Sequence, residues 1–213
     1  MAVLRHTIFR HVNLIERELT DEIPLVRSKV PFKVTRLGAE EIDAYCRFRP
    51  RTTPREVARR LERGSVCFVA WHAGRIVSGA WYHAGEAWIE DVDRRFELPP
   101  DTVYSYDAHT IPELRGRRVT PARASIALAE LRNSGFRRGV AFVLPGNRSG
   151  ERSRARSGWR RFGVAGYLNL GLARIDFIRT RGHQGKWRLR WLRSRGAQRP
   201  QPPPLESDAS LAG

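Results

Sequence analysis

The residues best suited to chemistry in this chain lie between Tyr104 and Pro121. A strand-like run, Val103-Tyr104-Ser105-Tyr106-Asp107-Ala108-His109, brings an acid, an imidazole and two phenols close together. It leads into Thr110-Ile111-Pro112-Glu113-Leu114-Arg115-Gly116-Arg117-Arg118-Val119-Thr120-Pro121, and a helix-like run from Ala122 to Ser134 follows. An Arg/Gly loop that ends a strand and opens a helix is an anion site. Unpaired backbone N–H groups and the positive end of the helix dipole converge there. Thr120 is the expected N-cap and Pro121 the expected first helical residue. The pattern predicts a phosphate cradle for the pyrophosphate of a coenzyme.

On the strand before the loop, alternation by two places Asp107 and His109 on one face and Tyr104 and Tyr106 on the other. A histidine titrates near neutral pH unaided, whereas an aspartate needs burial or a water relay to take a proton there. Asp107 and His109 are therefore the candidate bases, and Tyr106 is the candidate acid. The competing reading is a structural Asp–His pair at a strand end and a tyrosine packed in the core. Glu113 sits on an exposed turn and is read as solvent-facing.

The loop resembles the pyrophosphate-binding motif of the GNAT (GCN5-related N-acetyltransferase) family, valine-x-proline-x-x-arginine-glycine-x-glycine-isoleucine-glycine. The likeness continues downstream: the helix stops at Gly135, a strand spans Gly139 to Leu144, and Asn147, Arg152-Ser153 and Gly158-Trp159 follow in the family's register. The resemblance implies an α/β GNAT fold, a mixed central β-sheet of about six to seven strands flanked by helices. It implies acetyl-CoA as co-substrate, with acyl chain length left open, and a primary amine acceptor, small molecule or peptide. Cofactor contacts are then expected from Thr110, Ile111, Arg115, Gly116, Arg117, Arg118, Val119 and Thr120. Asn147 is expected to cap the next helix and touch the pantetheine arm, and Ser153 to reach the coenzyme phosphates. Three positions depart from the family pattern. Arg118 and Thr120 replace small loop residues and put a Cβ near the phosphates. Arg154 falls where many members carry the tyrosine that protonates the departing thiolate. The alternative reading is a GNAT-fold module that binds acyl-CoA or a partner without turnover.

Composition bounds the rest. At 213 residues and 41% hydrophobic content the chain suits one sizeable domain. No apolar run approaches the roughly 18 residues of a membrane span, and the N-terminus lacks a secretory signal. Cys46 and Cys67 have no metal-like spacing, so reduced thiols and a cytoplasmic location are expected. The histidines likewise show no metal-ligand spacing, and no metal is predicted.

The net charge of +17 invites a nucleic-acid reading. Yet only Lys29, Lys33 and Lys186 are lysines, and an arginine bias of this kind also follows from codon usage. Nucleic acid is not the expected partner. Basic residues from Arg179 to Arg199 surround Trp187 and Trp191; alternation there fits a last strand, with a weak membrane-surface contact as the alternative. Glu86, Glu90, Asp91 and Asp93 beside Trp88 form an acidic cluster, read as a salt-bridged loop or as a seat for a cationic amine. The resemblance also admits a homodimer.

The elements that must position these groups follow from local signals. A strand is expected near Thr7 to Val12, another over Phe32 to Leu37, and a short helix over Gly38 to Phe48. Thr53-Pro54-Arg55-Glu56 opens a second helix ending near Arg63. Ser65 to Trp71 and Ile76 to Tyr82 form a hairpin, and Glu86 to Asp101 reads as an excursion. Strands are expected over Tyr167 to Ile178 and Lys186 to Leu192. The expected organisation is an N-terminal strand and linker (1–31), an acyltransferase domain (32–195) and a disordered Pro-rich tail (196–213).

Overall fold

Val12, Asn13, Leu14 and Ile15 are all buried, which is how a strand covered on both faces behaves. They belong to β1 (Ile8–Glu18), the first element of a computed structural model that describes residues 8–20, 22–92, 94–170, 173–180 and 191–192. Next come β2 (Lys33–Arg36), α1 (Ile42–Phe48), α2 (Pro54–Glu62), β3 (Val66–His72) and β4 (Arg75–Ala84). They are followed by β5 (Glu86–Ile89), β6 (Arg94–Glu97), β7 (Thr102–Thr110) and α3 (Val119–Asn133). The remainder is β8 (Arg138–Val143), α4 (Arg148–Arg156), β9 (Arg160–Asn169), β10 (Arg174–Thr180) and β11 (Trp191–Leu192).

The main sheet has eight strands in the order β10-β9-β1-β8-β7-β4-β3-β2, and β11-β6-β5 form a small second sheet. All pairings in the main sheet are antiparallel except β7 with β8. The count exceeds the expected six to seven strands, because β1 is an interior strand between β8 and β9. Residues 8–18 are thus built into the sheet. Glu16 on β1 is fully buried and accepts from Arg160 Nε at 3.1 Å.

Three packed layers hold the sheet. Leu128 and Leu131 of α3 pack with Phe68, Tyr82 and Trp159 on one face. Tyr45 and Phe48 of α1 and Val57 of α2 cover Val69 and Trp81 on the other. The small sheet covers the β1–β8–β9 half of the molecule, where Phe96 meets Val12, Leu14 and Phe162. The segment read as an excursion therefore carries two strands, β5 and β6.

Local signals set several boundaries. Thr53 Oγ1 accepts from Glu56 N at 3.2 Å and caps α2 as expected. Ala73 and Gly74, with φ of 48° and 74°, make the two-residue hairpin turn between β3 and β4. The start of α3 differs from expectation. Arg118 is its N-cap, and Pro121 is the third helical residue rather than the first. Thr120 does not cap because its hydroxyl pairs with Thr110 Oγ1 at 2.7 Å. Proline costs nothing at the third position, whose N–H has no intrahelical partner. The expected Pro-rich tail, and the expected last strand apart from β11, lie outside the described residues.

Candidate functional site

The parallel pair β7–β8 holds together only from Thr102–Arg138 to Ser105–Ala141. Beyond that point β7 keeps β4 on one side, through Thr110, while β8 keeps β1 on the other, through Val143. The two strands splay, and each turns an unpaired edge towards the gap. Backbone N–H and C=O groups need partners when covered, so such an edge is suited to a ligand that itself carries amides.

Opposite this gap β7 is bulged. Tyr106 pairs with Trp81 and His109 with Gly79, so Asp107 and Ala108 together oppose Ala80. Asp107 takes a φ of 46° to make the kink. The bulge cancels the alternation expected from sequence. Tyr106, Asp107 and His109 all reach the α1–α2 face, whereas alternation had put Asp107 and His109 opposite Tyr104 and Tyr106.

Two arginines that sequence reasoning missed then fix Asp107. Arg49 Nη2 donates to Oδ1 at 2.6 Å, and Arg60 Nη1 donates to Oδ2 at 2.8 Å. Arg60 also pairs with Glu56 one helical turn earlier, and its guanidinium lies over the Trp81 and Tyr106 rings at 5.2 and 5.6 Å. The Glu56–Arg60 spacing was the one signal present in the sequence.

His109 is half-buried with its ring tilted against Phe48, centroids 5.4 Å apart. Burial pushes its pKa down, Arg49 and Arg115 push it further, and Asp107 opposes them. Neither ring nitrogen has a hydrogen-bond partner among the described residues. The Tyr106 hydroxyl donates to Ser65 Oγ at 3.1 Å, which in turn bonds His83 Nδ1 at 3.0 Å. Burial raises the Tyr106 pKa and lowers that of His83.

The loop after β7 is exposed from Arg115 to Arg118. Gly116 and Arg118 both lie in the left-handed region, at φ 75° and 63°. The N–H groups of Gly116, Arg118, Val119 and Thr120 have no acceptor among the described residues, so the cradle has donors to offer an anion. Val119 anchors the first turn of α3 by packing on Ala70 and Val77. Ile111 N donates to Val77 O at 3.0 Å, and Arg115 Nε donates to Thr110 O at 3.3 Å. Beneath the loop runs a bonded chain: Thr120 Oγ1 to Thr110 Oγ1, Thr110 to Ser78 Oγ at 2.8 Å, and Arg123 Nε to Ser78 Oγ at 3.1 Å. Thr120 directs its side chain towards the sheet, so the residues present fit an anion held by backbone.

Asn147 caps α4, its Oδ1 accepting from Gly150 N at 2.9 Å. Ser153 is on α4, but its side chain lies outside the described residues. Glu113 is exposed in a 3-10 turn. In the acidic cluster, Glu86 pairs with Arg95 at 3.6 Å and Arg95 lies 5.4 Å from the Trp88 ring centroid; Asp93 lies outside the described residues. Cys67 is fully buried, and burial pushes its thiol up to about 12. Among the described residues no His, Cys, Asp and Glu group is arranged to hold a metal ion, and no helix is long and apolar enough to cross a membrane.

A mixed sheet splayed at its parallel pair, with a loop-to-helix turn at the mouth of the splay, defines the GNAT fold. Solved structures agree. A GNAT-family acetyltransferase from Colwellia psychrerythraea superposes with a TM-score of 0.55 at 9% identity, over 80% of this chain and 57% of that one. A GCN5-related N-acetyltransferase from Sphaerobacter thermophilus gives 0.53 at 14% identity, over 79% and 52%. Another from Kribbella flavida gives 0.52 at 15%, over 76% and 59%. This chain thus spans less than two thirds of each structure's length, and at these identities the likeness is one of fold. No protein-family model and no curated protein matches the sequence.

Proposed function

We propose that the chain is an N-acyltransferase that moves an acyl group from a coenzyme A thioester, acetyl-CoA being the reference donor, directly to a primary amine. The observation that carries this reading is the β7–β8 splay, opening towards a loop in which the N–H groups of Gly116, Arg118, Val119 and Thr120 have no acceptor among the described residues. The loop would hold the pyrophosphate, and the free edge of β7 would pair with the pantetheine amides. Transfer forms the bond from the amine nitrogen to the acyl carbon and breaks the carbon–sulfur bond. The amine gives up a proton, and the sulfur leaves as thiolate.

His109 is the group best placed to take that proton. Its lowered pKa keeps it neutral near pH 7, and its nitrogens are uncommitted. Asp107 serves by holding the bulge through Arg49 and Arg60, which aims the β7 backbone at the carbonyl. The Tyr106 hydroxyl is committed to Ser65, and Arg154 replaces the usual tyrosine. Both favour the second reading, a module that binds acyl-CoA without turnover.

Calorimetric titration with acetyl-CoA tests the site. Micromolar binding is expected and should be lost in Gly116→Glu, which places a carboxylate in the cradle. A screen of amine acceptors read by thiol release then separates the readings. In His109→Gln, turnover should fall by about 10²-fold with coenzyme affinity unchanged. Binding without thiol release from any acceptor would favour the module, and absence of binding would overturn both readings.

A further inference from the structure

Among the described residues the fold buries two charged side chains, and only one of them is matched by an opposite charge. Glu16 is held by Arg160. Arg123, in the second turn of α3, is only 2% exposed and meets no carboxylate among the described residues. Its Nε donates to Ser78 Oγ at 3.1 Å, while its Nη1 is buried with no hydrogen-bond partner among them. A guanidinium keeps its proton in a protein, so the group is a fixed positive charge. It lies one helical turn beyond Val119 and Thr120, whose N–H groups belong to the cradle, and residues so spaced are neighbours on a helix. The surroundings are positive as well. The first turn of α3 carries no acid, the helix dipole is positive at that end, and the loop adds Arg115, Arg117 and Arg118.

The bond to Ser78 ties this charge to the loop. A serine hydroxyl has one proton to give and two lone pairs to accept with. The Ser78 proton goes to the His109 carbonyl at 3.1 Å, because that oxygen can only accept. One lone pair receives Arg123 Nε–H, so the other receives the Thr110 hydroxyl proton, and Thr110 in turn accepts from Thr120. Arg123 thereby fixes the direction of every proton in a chain that runs from the first turn of α3 to the backbone of His109. Such a chain is cooperative and holds each of its members in place. It keeps the Thr120 side chain on the sheet, as an anion held by backbone requires. A desolvated charge without a counter-ion lowers the stability of a fold, and a phosphate-bearing ligand in the cradle would supply that counter-ion.

We propose that Arg123 is the positioning residue of the cradle: through Ser78 and Thr110 it sets Thr120, and its unpaired charge lies beneath the backbone donors as the fixed counter-charge of a bound pyrophosphate. This rests on the loop being the coenzyme cradle. Arg123 touches neither the acyl group nor the amine, so it governs how tightly the coenzyme binds and leaves the transfer step alone. The free chain bears the unpaired charge, and the coenzyme-bound chain is relieved of it. Loss of the side chain therefore weakens binding without weakening the fold.

The test compares the full native chain with Arg123→Met, Arg123→Lys and Arg137→Met. Each is titrated calorimetrically with acetyl-CoA, and each is melted with and without inorganic pyrophosphate. The native chain should bind acetyl-CoA and melt at a higher temperature when pyrophosphate is present. Arg123→Met should melt no lower than the native chain in buffer free of multivalent anions. It should also bind acetyl-CoA at least about tenfold more weakly and lose the pyrophosphate shift. Arg123→Lys keeps the charge and a donor for Ser78, so it should retain most of the affinity and of the shift. Arg137→Met removes an exposed charge beyond the far end of α3 and should behave as the native chain does. Native affinity in Arg123→Met, failure of Arg123→Lys to restore binding, or an equal loss in Arg137→Met would each overturn this proposal alone. So would an anion-free melt of Arg123→Met below the native one, which would make Arg123 a plain structural residue. If the native chain binds neither acetyl-CoA nor pyrophosphate, the cradle reading falls and this proposal falls with it.

Discussion

Arg118 holds a left-handed backbone conformation, φ 63°, as the N-cap of α3. A side chain with a Cβ is strained there, and glycine is not. Arg118→Gly is therefore expected to stabilise the fold by about 0.5–1 kcal/mol, measured as a shift in the urea midpoint, while weakening coenzyme binding through the lost charge. An unchanged midpoint would mean that the loop absorbs the strain elsewhere. The histidines make a second prediction at this scale. Burial lowers the pKa of both His83 and His109 in the fold. The unfolded chain then binds protons more readily, at the ordinary value near 6.5. Their contribution to stability is complete above that value and is lost as pH falls through the lower folded pKa. Urea midpoints at a series of pH values should decline below about 6.5, and His109→Gln should reduce the slope.

At the scale of elements, the bulge in β7 is set by a clamp from two helices. Arg49 from the end of α1 and Arg60 from α2 grip Asp107, and all three side chains are partly exposed. Screening therefore limits the value of the clamp, and Asp107→Asn should cost about 1–2 kcal/mol. If Asp107 only positions the bulge, the variant should retain the pH profile of the native chain at a reduced rate. Loss of the acid limb of that profile would instead assign the proton transfer to Asp107. The same face carries a buried bond from Trp81 Nε1 to the Tyr45 hydroxyl at 2.7 Å. Tyr45→Phe leaves that N–H unsatisfied in the core, so a loss of about 1–3 kcal/mol is expected by thermal or urea unfolding.

For the whole molecule, the placement of β1 has the largest consequence. It bridges β8 and β9, with Leu14 fully buried and Glu16 held by Arg160. Removing residues 1–18 would open the sheet in its middle, leaving two new edges and an unfilled core. The truncated chain is expected to lack a cooperative melt by circular dichroism. A folded truncation would show that β9 can pair directly with β8. The same architecture explains why donor and acceptor would meet at one place. The loop and α3 lie on one face of the sheet, His109 and α1–α2 lie on the other, and the splay is the opening between them.

The sequence by itself determined the elements whose signals are local. The Thr53 cap, the hairpin turn at Ala73-Gly74, the strand–loop–helix at Thr110 to Thr120 and the Asn147 cap all depend on residues a few positions apart. The loop was legible for the same reason, since an anion cradle is a property of contiguous backbone. The tertiary structure decided whatever depends on distant partners. Nothing near residue 13 says that β1 enters the middle of the sheet, because both strand neighbours come from the far end of the chain. Alternation misplaced Asp107 and His109 because a bulge shifts register by one residue, and that bulge is held by Arg49 and Arg60 across gaps of 58 and 47 positions.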